Sequence, residues 1–180
     1  QSRKIDIAIG YSEFWPQDPE IEVIKLYSDS LAAVVNSRHH LSGSRYVNLE
    51  QLDKERFCFT REDPDLFEYL NQACIASGFT PLLTKSKVRL ETISRYIIAG
   101  MRSTIYPMST AIPFFSEPMF SILELKDSPG LTLSIMVLKS NQNQLCRTMI
   151  ESLKAWYFED AIKAIQQNSK QKRDILLGDQ

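Results

Sequence analysis

Strand-type and helix-type segments alternate along almost the whole chain, and this alternation limits the fold more than any other feature. Ile5-Asp6-Ile7-Ala8-Ile9-Gly10 interleaves β-branched residues with small or polar ones, which predicts a buried strand closed by a glycine turn. Pro16 and Pro19 mark a loop. Ile21 to Tyr27 alternates as an extended segment, and Ser30 to Val35 is a short apolar run suited to a central strand. Asn48 to Leu52 reads as one helical turn with an asparagine cap, and Phe57 to Thr60 as a short strand. Asp63, Pro64 and Asp65 supply a cap, a first-turn proline and an acidic first turn for a helix to about Ser77, with Gly78 ending it. Leu82 to Val88 is extended, Glu91 to Ala99 is helical and stopped by Gly100, and Ser103 to Pro107 is a strand. Phe120 to Leu125 and Leu131 to Leu138 are strands, and Gln142 to about Gln166 is the longest helix. Leu145, Met149, Leu153, Trp156 and Tyr157 fall on one face of it, and the stripe Leu145, Met149, Leu153 and Trp156 is expected to be core, with a subunit interface as the second choice. The resulting class is α/β.

Composition excludes several functions. With 21 Lys and Arg against 22 Asp and Glu, the net charge is -1, which is not the footprint of a nucleic-acid binder. Cys58, Cys74 and Cys146 are odd in number and far apart, so they suggest neither a disulfide framework nor a zinc site, and a reduced, cytoplasmic setting is expected. Apolar runs are too short to span a bilayer, so no membrane partner is expected. The start at Gln1, without an initiator Met, is read as a chain with residues missing before it.

Several segments, in order, resemble the effector-binding domain of LysR-type transcriptional regulators. Ile5 to Ile9 is similar to that family's "LDLAI" strand, and Ile21 to Val35 to its following strand pair. Arg38-His39-His40-Leu41 stands at its "x-H-P-L" turn. Val47 to Leu52, Phe57 to Thr60, Ser77 to Pro81, and Glu91 through Gly100 to Pro107 follow the family's pattern in sequence. Three positions depart from it. Arg102 stands where a second glycine is usual, His40 where proline is usual, and Leu90 where a polar helix cap is common.

The resemblance implies a two-lobed fold of the periplasmic-binding-protein type 2, with the first lobe incomplete. Residues 1–33 and 135–167 would form part of lobe I, residues 34–134 lobe II, and residues 168–180 a mobile tail. It implies a cytoplasmic, bacterial, effector-sensing module that regulates transcription through a winged helix-turn-helix domain absent from this chain. It further implies a homodimer or homotetramer, and a small, anionic effector held in the cleft between lobes. DNA would be reached only through the absent domain. A stand-alone or periplasmic solute-binding protein of the same fold is the alternative reading.

Carried over by position, the effector-binding candidates are Thr60, Arg89, Leu90 and Thr92, with Tyr11, Arg102 and Tyr106. The Thr60 hydroxyl follows a strand and either faces a ligand or bonds locally. Leu90, Glu91 and Thr92 open a helix, where free N–H groups favour a carboxylate, although Thr92 also reads as a plain first-turn residue. Arg89 and Arg102 each suit a carboxylate or phosphate, yet they sit at opposite ends of one short helix and would not clamp one small anion together. His39 and His40 have no Cys or carboxylate at ligand spacing nearby, so they read as solvated and no metal is expected. No cofactor is expected. No nucleophile elbow or phosphate loop is found, so the chain does not read as an enzyme.

Overall fold

The computed structural model describes residues 5–60, 63–83, 88–141 and 143–155. Among these the strands are β1 (Ile7–Tyr11), β2 (Ile21–Asp29), β3 (Leu31–Asn36), β4 (Tyr46–Val47), β5 (Arg56–Phe57), β6 (Leu82–Leu83), β7 (Thr104–Pro107), β8 (Phe120–Leu125) and β9 (Leu131–Leu138). The helices are α1 (Pro64–Ala76), α2 (Leu90–Ile98), α3 (Met108–Phe114) and α4 (Gln144–Ala155). The chain divides into two compact units, the first ending at Asp29 and resuming at Gly130, the second holding Ser30–Pro129.

The first unit is built on a three-stranded antiparallel sheet in the order β1-β9-β2. Its middle strand comes from late in the chain, with Ile135 opposite Ile9 on one side and Ile24 on the other. The strand expected at Ile5–Gly10 is therefore not buried. Among the described residues it has one strand neighbour, β9, and Ile9 is 46% exposed. β2 carries a bulge, in which Lys25 pairs with Ser134 and Tyr27 with Leu133, leaving Leu26 as the extra residue. One inserted residue reverses which side chains face which side, so the even alternation of the sequence does not run through to Asp29.

Asn143 starts α4 by accepting from the Leu145 N–H at 2.9 Å, as an N-cap does. The helix buries only Cys146 among its described residues. Leu145 is 78% exposed and Met149 49%, so this part of the stripe is not core. Trp156 and Tyr157, like the tail expected at 168–180, lie outside the described residues.

In the second unit a four-stranded sheet runs β4-β8-β3-β7. β3 pairs antiparallel with both neighbours, and Leu31, Ala32, Ala33, Val34 and Val35 are all fully buried. Such a continuous apolar run suits a strand covered on both faces. β5 and β6 pair parallel, and a parallel bridge from Phe57 to Ser103 ties β5 to the start of β7. Ile93 and Ile97 of α2 and Leu66, Leu70, Ala73 and Cys74 of α1 are buried. Phe115 is also fully buried and meets Phe120 edge-on at 5.1 Å. α3, which sequence reading did not anticipate, follows β7 directly and contains Pro113.

Both longer helices of this unit end alike. Gly78, at φ +91°, donates to Ile75 while Phe79 donates to Cys74; Gly100, at φ +67°, donates to Ile97 while Met101 donates to Tyr96. This is the two-bond C-terminal cap that needs a left-handed residue. Among the described residues no other residue type has positive φ, so Arg102 adopts an ordinary backbone despite replacing a glycine of the family pattern. The Asp63 carboxylate accepts from the Leu66 N–H at 3.0 Å and Pro64 occupies the first turn, as the sequence predicts. Replacing Asp63 with Ala is expected to destabilise the protein by about 1 kcal/mol in urea unfolding. No loss would mean that this cap carries no net stability.

Candidate functional site

The geometry of the second unit decides which of the expected residues meet. β7 runs antiparallel to β3, with Val34 opposite Thr104 and Leu31 opposite Pro107. The segment after β5 follows β7 in the same direction: Cys58 donates its N–H to the Ser103 carbonyl at 2.9 Å, and the Thr104 hydroxyl donates to the Cys58 carbonyl at 2.7 Å. Thr60 therefore emerges toward the end where β7 finishes with Tyr106 and Pro107. α2 packs against β3, and Asn36, at the far end of β3, donates to the carbonyls of Ile97 at 3.1 Å and Ile98 at 2.8 Å. The C-terminus of α2 is thereby held where β7 begins. Its N-terminus lies some nine residues, or ~13 Å at the α-helical rise, from that anchored end.

Thr60 and Tyr106 lie toward the carboxyl ends of β5 and β7, the side on which open α/β sheets place their ligands, and Arg89, Leu90 and Thr92 open α2. Arg102 does not join them. It lies at the start of β7, and its guanidinium donates to the Met101 carbonyl at 3.3 Å. Tyr11 belongs to the first unit, where its hydroxyl donates to the Asp29 carboxylate at 3.0 Å. Asp29 is 2% exposed, the one acidic residue buried this deeply among the described residues. Sequence reading passed over it, because its buried setting comes from the remote strand β9 and the Tyr11 ring.

The individual residues differ in what they offer. Arg89 is exposed and forms the N-cap of α2 without a side-chain cap bond. Its carbonyl accepts from the N–H groups of Thr92 and Ile93, both at 3.0 Å. The Thr92 backbone donor is consequently already used, and only its hydroxyl remains to meet a ligand. The N–H groups of Leu90 and Glu91 make no hydrogen bond among the described residues. Tyr106 is 5% exposed and packs against Phe115 at 6.1 Å, so most of its ring serves the core. Thr60 is half-buried.

A groove of about 570 Å³ lies elsewhere, in the first unit, lined by Trp15, Ile21, Val23 and Met136 among others. None of the expected site residues borders it. Ser12 and one Asp18 oxygen on its rim are engaged by the Thr132 carbonyl and the Glu20 N–H, and Gln17 also borders it. The three cysteines are buried. Burial pushes the Cys74 thiol from its ordinary 9.0 up to about 12, which leaves it an inert packing group.

Comparison with known proteins follows the same lines. The sequence model of the LysR substrate binding domain matches residues 1–157. The transcriptional dual regulator GltC of Bacillus subtilis (strain 168) is 27% identical over 122 residues, which are 67% of this chain and 39% of that protein. The chain therefore spans about two fifths of the length of this curated relative. Among solved structures, Corynebacterium glutamicum OxyR, as its C206 mutant, superposes with a TM-score of 0.75 at 20% identity over 91% of this chain and 51% of its own. The BenM effector binding domain with its effector benzoate gives 0.74 at 18% identity over 88% of this chain and 72% of that one. At these identities the likeness is one of fold, the two-lobed periplasmic-binding-protein type 2 arrangement.

Two outcomes are expected. Tyr11→Phe removes a hydrogen bond to a buried carboxylate and should cost roughly 1.5–3 kcal/mol of unfolding free energy; an unchanged midpoint in urea would show that Asp29 does not depend on that hydroxyl. Cys74 should resist iodoacetamide at pH 8 until denaturant is added, read by mass spectrometry. Its folded state keeps the proton that the unfolded state loses above about 9, so its contribution to stability is full below that pH and is lost as pH rises through about 12. Rapid native alkylation at Cys74 would overturn this.

Proposed function

Because this chain belongs to the family of LysR substrate-binding domains, we propose that it is the effector-sensing module of a LysR-type transcriptional regulator and that its effector is a small carboxylate. The family is one of transcriptional regulators, not of enzymes. The anion preference rests on one observation: α2 starts without a side-chain cap, and the Leu90 and Glu91 N–H groups make no hydrogen bond among the described residues. Free N–H groups and the helix dipole favour a negative group at such a point. The hydroxyls of Thr60 and Thr92 add neutral donors, and Arg89 adds positive charge. The exposed Glu91 carboxylate opposes this charge, so recognition is expected to rest on directed donors more than on net field.

DNA contact lies with parts of a longer protein outside this chain, in keeping with the net charge of -1. The full-length relative CbnR has been solved in complex with its target DNA, and we extend DNA regulation to this protein on that footing; homodimer or homotetramer assembly rests on the family resemblance alone. No helix among the described residues is long and apolar enough to cross a membrane, which accords with a cytoplasmic regulator. Effector binding would act by stabilising one of two conformations that differ in their readiness to hold DNA.

Benzoate and a set of mono- and dicarboxylates, with inorganic phosphate alongside, test the reading by thermal shift and calorimetry on the full chain. At least one carboxylate should raise the melting temperature in a concentration-dependent way. Thr60→Ala or Arg89→Ala should weaken it by roughly 10–100-fold, the loss of one hydrogen bond to a charged group. A panel that never moves the melting temperature, or binding untouched by both substitutions, would sink the carboxylate reading.

A further inference from the structure

A second constellation, made of none of the proposed effector residues, lies in the second unit. The turn after β3 carries His39 and His40, and 16 residues beyond His39 the chain returns with Glu55. His39 Nε2 stands 2.9 Å from Glu55 Oε1, and the two imidazoles lie face against face at 4.3 Å, tilted by 37°. One donor atom from each of the three side chains falls within 4.8 Å of the others. These two are the only histidines in the chain. The expectation that they lack a carboxylate held along the sequence; folding supplies one from a remote segment.

The surroundings hold this group in place. The Asn36 side-chain oxygen accepts from the Arg38 N–H at 2.8 Å, and its carbonyl accepts from the His39 N–H at 2.9 Å, while its amide is tied to the end of α2. The turn bearing both histidines is thus anchored on a packed helix. Glu55 is oriented by Ser103, whose hydroxyl donates to Oε2 at 3.0 Å and which is itself 2% exposed. A buried partner that fixes one carboxylate oxygen and leaves the other aimed at an imidazole is the outer-shell arrangement metal ligands use.

We propose that His39, His40 and Glu55 form a binding site for a divalent transition-metal ion of the Zn²⁺ or Ni²⁺ class. Two imidazoles and one carboxylate match the donor preference of these ions and not that of Mg²⁺ or Ca²⁺, which favour all-oxygen shells. Metal bonds of about 2.0–2.1 Å at tetrahedral angles need donors about 3.4 Å apart. The His39–Glu55 pair must open by roughly half an ångström, and His40, which is exposed, must swing inward. Water completes the coordination. In the metal-free state Nδ1 of His39 accepts from the Leu41 N–H at 3.3 Å, which puts the ring proton on Nε2, donated to Glu55. Coordination through Nε2 needs the other neutral tautomer, with that single ring proton moved to Nδ1, so the long Leu41 bond is given up on binding.

Calorimetric titration of the full 180-residue chain with ZnCl₂, NiCl₂ and MgCl₂ in chelator-treated buffer tests this. The expected result is one Zn²⁺ or Ni²⁺ per chain with micromolar or tighter affinity, no comparable Mg²⁺ binding, and metal-induced shifts of both histidine ring signals in ¹H–¹⁵N spectra. His40→Asn, at an exposed position that leaves the fold intact, and Glu55→Gln should each weaken binding at least about tenfold, and Ser103→Ala by about 10–100-fold through loss of the outer-shell bond. Absence of binding to the wild-type chain would reduce His39 and Glu55 to a structural ion pair and overturn the proposal. So would full-strength binding retained in His40→Asn and Glu55→Gln, or Mg²⁺ bound as tightly as Zn²⁺.

Discussion

Burial of β3 on both faces is the constraint from which the second unit follows. Five consecutive residues, Leu31 to Val35, are fully excluded from water. A strand in that position must have neighbours on both edges and cover on both sides, because each of its backbone groups needs a partner and each side chain an apolar contact. β7 and β8 supply the edges. Ile93 and Ile97 of α2 supply part of the cover, and Asn36 at the end of the strand ties α2 down by its last carbonyls. Once β3 is fixed, the direction of β7, the side on which the Phe57–Thr60 segment lies and the end at which α2 begins are all determined.

That geometry gives the second unit two chemically different groups of residues. The residues proposed for the effector are hydroxyls, an arginine and uncapped helix N–H groups, a set that suits an anion. The other group is two imidazoles and a carboxylate, suited to a cation. Asn36 serves the second group twice, as a bond to the helix C-terminus and as the organiser of the histidine turn. Ser103 plays a similar double part: its backbone joins β5 to the start of β7 and its hydroxyl holds Glu55. Neither residue would draw attention as a ligand, yet both set where ligands can be.

The first unit shows what happens when apolar strands have fewer partners. Among the described residues β9 is flanked on both sides and buries Ile135, whereas β1 and β2 each have one strand neighbour and leave Ile9 and Val23 substantially exposed. The same alternating pattern that predicts a buried strand therefore yields a half-covered one. Periodicity reports which side chains share a face; it does not report whether anything lies against that face. The stripe on α4 makes the same point, with Leu145 and Met149 regularly spaced and open to solvent.

By itself the sequence determined what depends on a few neighbouring residues. The α/β alternation, the Asp63-Pro64 start of α1, the left-handed glycines at 78 and 100, and the limits of β8 and β9 were all legible, because caps, turns and periodicity act within one or two turns of chain. The ordered motifs of the LysR pattern were legible for the same reason, each being a local signature. Only the tertiary structure decided which distant segments become neighbours. It placed β8 and β9 in different sheets although a short turn joins them, sent Arg102 away from the other expected site residues, buried Asp29 beneath Tyr11, and brought Glu55 to His39. Those choices rest on burying apolar surface and pairing backbone groups across long stretches of chain, and no window of sequence contains both partners of such a contact.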